Sequence, residues 1–307
     1  MNSKLYVLGS INVDLSIECD RFPKIGETIK GKGFEKNLGG KGSNQAIASS
    51  ILGLDTYLIG AVGNRDNNDW IYDELCNYGV NTSLVSKIED EETGLAFIIR
   101  AKGDNSIILH SGANLKIKKE NLINGLDKAK KGDYFLAQFE VDQDLVYFGI
   151  ETASKKGMTV IINPSPAMKI DNKMYSLIDY LIVNQTEAEI LSNIYPETLE
   201  DCKRIFEILN KYELKNLVVT LGNKGSVLID ENNSVFSKGI KIKSIDSTGA
   251  GDAFTGMFIR SLSMDISIKE KLYYSNISGA LTCLQKGARI GVKNLNEIIN
   301  FKEDINE

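Results

Sequence analysis

The stretch Asp246-Ser-Thr-Gly-Ala-Gly-Asp-Ala-Phe-Thr-Gly256 sets two glycines close together and a carboxylate directly after the second. As a dinucleotide fingerprint it fails. Its third glycine position is Phe254, and it lies far down the chain instead of after the first strand. The better reading makes Asp252 the first acid of a helix running to Ser263. Gly249, Ala250 and Gly251 then present N–H groups at the positive helix end, which is an anion site. A carboxylate beside bound phosphate has proton work to do. Amides that stabilise a moving phosphoryl group, next to an acid that accepts a hydroxyl proton, are what phosphoryl transfer needs. The bland alternative is an ordinary acid in a first helical turn.

Working outward, short apolar runs recur at Leu5–Leu8, Tyr57–Val62, Tyr134–Ala137, Thr159–Ile162, Tyr180–Val183, Leu217–Val219 and Val227–Ile229. Most are continuous rather than alternating, as in strands buried on both faces. Helix-period stretches lie between several of them, at Gly42–Leu52, Asn68–Tyr78, Leu145–Lys156, Thr186–Asn193, Leu199–Lys211, Asp252–Ser263 and Ile268–Leu284. The pattern predicts an α/β fold: a mostly parallel central sheet with helices on both faces. Two segments, Leu15–Asn37 and Gly94–His110, are strand-like without intervening helices. Together they predict a small β-sheet lid on a single 1–307 domain, and Lys-Gly-Asp-Asn at 102–105 predicts a hairpin.

Ligands of open parallel sheets bind beyond the carboxyl ends of the strands. The segments at those ends contain Asn12 and Asp14, Gln138 and Glu140, Asn163, Asn184 and Glu187, and Thr220, Gly222 and Gly225. These residue types also make turns and helix caps, so each segment alone has two readings. Leu38-Gly-Gly-Lys-Gly-Ser-Asn44 is not a P-loop, because Lys41 precedes Gly42 rather than Ser or Thr and position 35 is Glu. Its alternatives are a turn whose amides and Lys41 hold a ligand, or a flexible loop with a solvated lysine.

Bulk composition excludes other classes. Across 307 residues, 42% are hydrophobic and 25% charged, ordinary for a soluble globular chain. A net charge of −5 offers no basic field for nucleic acid or a membrane surface. Four scattered cysteines and one histidine, His110, argue against a zinc site and suit a reduced compartment. The opening apolar run is too short for a signal peptide, and no run reaches the roughly 18 residues of a membrane span. A cytoplasmic location is the expectation.

Five blocks in order carry a resemblance: LGGKGSNQA at 38–46, NPSPA at 163–167, NQTEAE at 184–189, VTLGNKGS at 219–226 and DSTGAGDAFTG at 246–256. From GSINVD near the start to QKGAR at 285–289, the chain resembles the ribokinase or phosphofructokinase-B-type family of sugar kinases. The resemblance implies ATP-dependent phosphorylation of the O5 hydroxyl of D-ribose, giving D-ribose 5-phosphate and ADP. Deoxyribose or another small sugar is the same-class alternative. A non-catalytic sugar-binding regulator is the alternative of a different class.

The resemblance further implies sugar binding by Asn12, Asp14, Gly40, Lys41, Gly42, Ser43, Asn44 and Glu140, with Asp252 as general base. Gly249, Ala250 and Gly251 form the implied anion hole. ATP falls to Asn184, Thr220, Gly222, Gly225, Gly251 and Asn276, and Mg²⁺ to Glu187 through water. Asp246, Thr248, Thr282, Gln285, Gly287 and Gly291 are the implied monovalent-cation (K⁺) site, and the lid implies a homodimer. Asn276 stands where such kinases often have histidine, and Gly291 where they often have serine. An ordinary Asp252 pKa would make it a weak base that acts as the proton leaves. His110 is expected to be structural.

Overall fold

The computed structural model describes residues 3–66, 68–102, 104–285, 287 and 291–301. Gly103 of the expected hairpin turn, and Lys286, Ala288 and Arg289 of QKGAR, lie outside the described residues. The chain opens with β1 (Lys4–Leu8), β2 (Asn12–Cys19), β3 (Lys32–Gly39) and helix α1 (Lys41–Ile51). Next come β4 (Asp55–Gly63), α2 (Trp70–Asn77), β5 (Val85–Ile88), β6 (Gly94–Ala101), β7 (Asp104–His110) and α3 (Lys119–Leu126). β8 (Tyr134–Ala137), α4 (Gln143–Lys155), β9 (Thr159–Ile162), β10 (Tyr180–Asn184), α5 (Gln185–Ser192) and α6 (Leu199–Asn210) form the middle. The last part holds β11 (Leu217–Thr220), β12 (Gly225–Ile229), β13 (Ser234–Lys238), α7 (Ala250–Leu262), α8 (Ile268–Thr282) and α9 (Leu295–Ile299).

Among the described residues, the large sheet has nine strands in the order β13-β12-β11-β10-β9-β8-β1-β4-β5. β11 through β5 run parallel, and β12 and β13 close one edge antiparallel. Alternate residues of the same apolar runs feed opposite faces. Tyr6, Leu8, Phe135, Val160 and Ile162 enter one core; Leu5, Val7, Tyr134, Leu136 and Ile161 enter the other. That is why these strands read as continuous apolar runs. Chain order reverses at β1, whose neighbours are β8 on one side and β4 on the other. A crevice beyond the carboxyl ends of β1 and β8 is the position such a reversal creates.

The small sheet has the order β3-β2-β6-β7. Its β6–β7 pair matches the hairpin expected at 94–110, but the first segment differs from its expected bounds of 15–37. Strand β2 begins at Asn12, β3 ends at Gly39, and residues 20–31 lie outside strands. Asn12 and Asp14 therefore sit on the small sheet rather than in a loop after β1. The apolar alternation Val13, Leu15, Ile17 continues the strand through the polar residues. Phe97 and Ile108 pair across β6 and β7 and so share a face, 45% and 67% exposed respectively. Among the described residues no helix is long and apolar enough to cross a membrane. All four cysteines are free.

Candidate active site

The N-terminus of α7 and the first turn of α1 meet beyond the carboxyl ends of the parallel strands. Gly249 caps α7 with φ of 80°, a left-handed conformation suited to glycine. Asp252 follows in the first turn and is buried. Asn44 Nδ2 donates to its Oδ2 at 3.2 Å, and Gln45 Nε2 donates to its Oδ1 at 2.9 Å. Close helix packing permits this. A Cβ on Gly256, one turn beyond Asp252, would lie 3.0 Å from the Ala48 Cβ on α1. Asn44 also keeps a buried Oδ1 with no partner among the described residues, an acceptor beside Asp252.

Of the three amides expected in the anion hole, Ala250 N–H is already taken, donating to the Ser247 carbonyl at 3.2 Å. The turn that makes Gly249 a cap folds Ala250 back on Ser247. The Gly249, Gly251 and Asp252 N–H groups make no hydrogen bond among the described residues. The space beside Gly251 is open, since a Cβ there would meet nothing within 4 Å.

The Asp252 pKa also departs from expectation. Burial pushes it above the ordinary 3.8, against the pull of Lys41, Gln45 and Asn44; Glu140 adds to the rise. Burial pulls Lys41 down, but the carboxylates of Asp252, Glu140 and Glu187 outweigh it and hold its ammonium above the usual lysine value. Below its raised pKa, Asp252 is protonated and cannot accept a proton. Turnover should therefore fall on the acid side at a pH above the ordinary aspartate value. A pH profile of kcat/KM that stays flat down to about pH 4 would contradict this.

At the β1/β8 crevice, Ser10 Oγ donates to Glu140 Oε2 at 2.5 Å, and the Lys41 N–H donates to the same oxygen at 3.1 Å. Gly42 N–H donates to Ser10 Oγ at 3.3 Å. Asn12 Oδ1 accepts from Asn114 Nδ2 at 2.7 Å, and Asp14 packs on Gly39. Glu140, Lys41, Asn12, Asn44 and Asp252 thus gather around one crevice. Ser43 is committed elsewhere: its buried hydroxyl shares its one proton between the Gly39 carbonyl and, at 2.9 Å, the Gly40 carbonyl. A cleft of about 630 Å³ between the small sheet and the 244–248 loop is lined by Asp14, Asn37, Arg100, Asp246 and Thr248 among others.

Among the residues expected to hold ATP and Mg²⁺, Asn184 and Glu187 cap α5 reciprocally: Glu187 N–H donates to Asn184 Oδ1 at 2.8 Å, and Asn184 N–H to Glu187 Oε2 at 2.9 Å. Glu187 Oε1 makes no hydrogen bond among the described residues, so the carboxylate retains an oxygen suited to a Mg²⁺-bound water. Thr220 Oγ1 donates to the Val183 carbonyl at 3.4 Å, and Gly222 and Gly225 flank the turn after β11. Asn276 is tied down instead, its Nδ2 donating to the Ser237 and Lys238 carbonyls at 3.2 and 3.3 Å.

The six residues expected to hold a cation converge on one junction. Asp246 Oδ1 accepts from the Thr248 N–H and Oγ1 at 2.9 and 2.6 Å, and its Oδ2 accepts from Gly287 N–H at 3.0 Å. Burial would raise the Asp246 pKa, but these donors outweigh it and hold the group below the usual value. Asp246 N–H donates to the Cys283 carbonyl at 3.2 Å, and Gln285 N–H to the Thr282 carbonyl at 3.5 Å. A Cβ on Gly291 would stand 2.4 Å from the Thr282 carbonyl oxygen, so this backbone leaves no room for serine there. The Asp246 and Thr248 carbonyls accept no hydrogen bond among the described residues, which fits an oxygen-lined cation site.

Sequence reasoning missed Ser10 and Asn114, and it left Gln45, Gln138 and Asn163 without roles. His110 ends β7 with its Nε2 3.9 Å from Glu92, and with Glu91 the three donors lie within 4.8 Å of one another. Lys116 and Arg65 already neutralise these carboxylates.

A buried carboxylate beside helix N-terminal amides that are unpaired among the described residues, at the strand ends of a doubly covered parallel sheet, suits phosphoryl transfer to an alcohol. The family model described as pfkB family carbohydrate kinase matches residues 2–295, and the chain belongs to that family. It is 33% identical over 302 residues to a ribokinase of Staphylococcus aureus, covering 97% of this chain and 99% of that protein. A deoxyribokinase of Salmonella typhi is 30% identical over 302 residues, with 97% and 99% covered. The structure of Arabidopsis thaliana ribokinase complexed with ribose and ATP has a TM-score of 0.89 and 29% identity, covering 98% of this chain and 100% of that one.

Proposed function

We propose that this carbohydrate kinase transfers the γ-phosphoryl group of ATP to the O5 hydroxyl of D-ribose, giving D-ribose 5-phosphate and ADP. The observation that carries the reading is Asp252, buried and held by Asn44 and Gln45 beside the unpaired Gly249 and Gly251 amides. Asp252 accepts the proton of the primary hydroxyl as its oxygen attacks phosphorus. The amides take charge building on the moving phosphoryl group. Asn12, Asp14, Gly40, Lys41, Asn44 and Glu140 hold the sugar. Asn184, Thr220, Gly222 and Gly225 hold the nucleotide. Glu187 would hold Mg²⁺ through water, and the ion would supply charge neutralisation on the phosphates. The Asp246–Gly291 junction would hold K⁺.

Similarity to both a ribokinase and a deoxyribokinase favours deoxyribose as the second reading. A coupled ATP-consumption assay across a sugar panel, with and without K⁺, separates them. Ribose should turn over best and K⁺ should raise the rate. Robust turnover of deoxyribose with loss on ribose would refute the choice of ribose, and ribose binding with no ATP consumed would favour a regulator.

The exposed Phe97 and Ile108 face supports a homodimer formed through the small sheet, in a cytoplasmic enzyme. Ile108→Asp should then give a monomer by light scattering. An unchanged mass for both that variant and Phe97→Asp would remove this interface.

A further inference from the structure

The Gln45 side chain is fully buried, and both its amide nitrogen and its oxygen are hydrogen-bonded. Nε2 donates both to Asp252 Oδ1 and to Asn163 Oδ1, each at 2.9 Å, while Oε1 accepts from Gln138 Nε2 at 2.6 Å. The reverse amide orientation would set Oε1 against the Asp252 carboxylate, lone pair against lone pair, so the network fixes one orientation. Asn163 continues the chain, its Nδ2 donating to Glu187 Oε2 at 3.3 Å and to the Ile182 carbonyl at 3.0 Å. Glu187 Oε2 is in turn held by the Asn184 N–H. An unbroken run of directed hydrogen bonds thus links the carboxylate on α7 to the carboxylate that caps α5.

We propose that Gln45 is a positioning residue for phosphoryl transfer, holding Asp252 in one rotamer and, through Asn163, locking it to Glu187 so that the two carboxylates keep a fixed separation. This rests on the reading of Asp252 as the base. Gln45 acts through Asp252 and touches no reacting atom. A side chain that donates to the ionised carboxylate also favours its charged form. The charged groups acting on Asp252 besides are Lys41 from α1 and Glu140 following β8. Both remain when Gln45 is changed, so its contribution can be read separately.

The experiment compares pH profiles of kcat/KM for ribose in the wild type, Gln45→Met and Gln45→Glu, with Asp252→Asn as the reference. Methionine keeps the length and removes the donors. Its kcat should drop about 10- to 100-fold, with little change in KM, and the acid limb of the profile should move to higher pH. Glutamate places a second carboxyl against Asp252, and two carboxylates so close cannot both ionise easily. Its acid limb should move further in the same direction. Gln45→Glu also serves as the second variant if Gln45→Met fails to fold. A merely structural Gln45 would lower activity or Tm and leave the limb in place. An unmoved limb in a folded variant, with Asp252→Asn inactive, overturns the positioning role alone. Retained turnover in Asp252→Asn overturns both that role and the assignment of the base.

Discussion

Asp252→Asn should fold, bind ribose and ATP, and lose turnover by about 10³-fold, within the range for removing a general base. The asparagine keeps the shape of the side chain but cannot take the hydroxyl proton. The loss should fall on kcat rather than on KM, because the proton is shared only as the bond to phosphorus forms. Steady-state kinetics with calorimetric measurement of sugar binding separates the two. Turnover near wild type would move the base elsewhere, and Glu140, whose charge acts on Asp252, is the alternative carboxylate on the crevice.

Gly251→Ala should leave stability intact and abolish most of the activity. Gly251 lies in the first turn of α7, and alanine is the better helix former by up to about 1 kcal/mol. Nothing in the protein opposes its methyl group within 4 Å. That open space adjoins the unpaired amides, so a methyl there intrudes where the phosphoryl group must sit. Turnover should fall about 10²- to 10³-fold, as when an oxyanion donor is lost, with Tm unchanged or slightly raised. Gly42 gives the contrasting case. A Cβ there would lie 2.4 Å from the Gly9 carbonyl carbon and 2.5 Å from the Ser10 nitrogen, both backbone. Gly42→Ala should cost about 3 kcal/mol, the upper range for overpacking, and lower Tm together with activity. Parallel thermal melts and assays of the two variants check this. Equal Tm losses in both would mean that the space beside Gly251 is not reserved for a ligand.

Much of the fold was legible because the buried parallel strands are continuous apolar runs with helix-period stretches between them. What escaped was weakly patterned. Strand β13, Ser234–Lys238, is mostly exposed at the sheet edge, and β5, Val85–Ile88, is half-buried except at the exposed Lys87. Helix α3, KENLINGL, buries only Leu122, Gly125 and Leu126, too short a stripe to show its period. Within the site, residue type at a helix start pointed to Asp252, and the family resemblance pointed to Asn44, Glu140 and Glu187. The network around them was not legible. Gln45 and Asp252 are 207 positions apart, and nothing local says that their side chains meet. Nor could residue type reveal that the Ala250 amide is taken by Ser247, or that Ser43 and Asn276 spend their donors on nearby carbonyls. The raised Asp252 pKa likewise comes from burial, which only the assembled fold supplies.

Proton-coupled phosphorus NMR of the product made from ribose and ATP reports which oxygen of the sugar receives the phosphoryl group. A phosphate on O5 neighbours a CH₂ group, so its resonance should appear as a triplet. A doublet would place the phosphate on a ring CH, and the absence of any new phosphate ester would mean that ribose is not the acceptor.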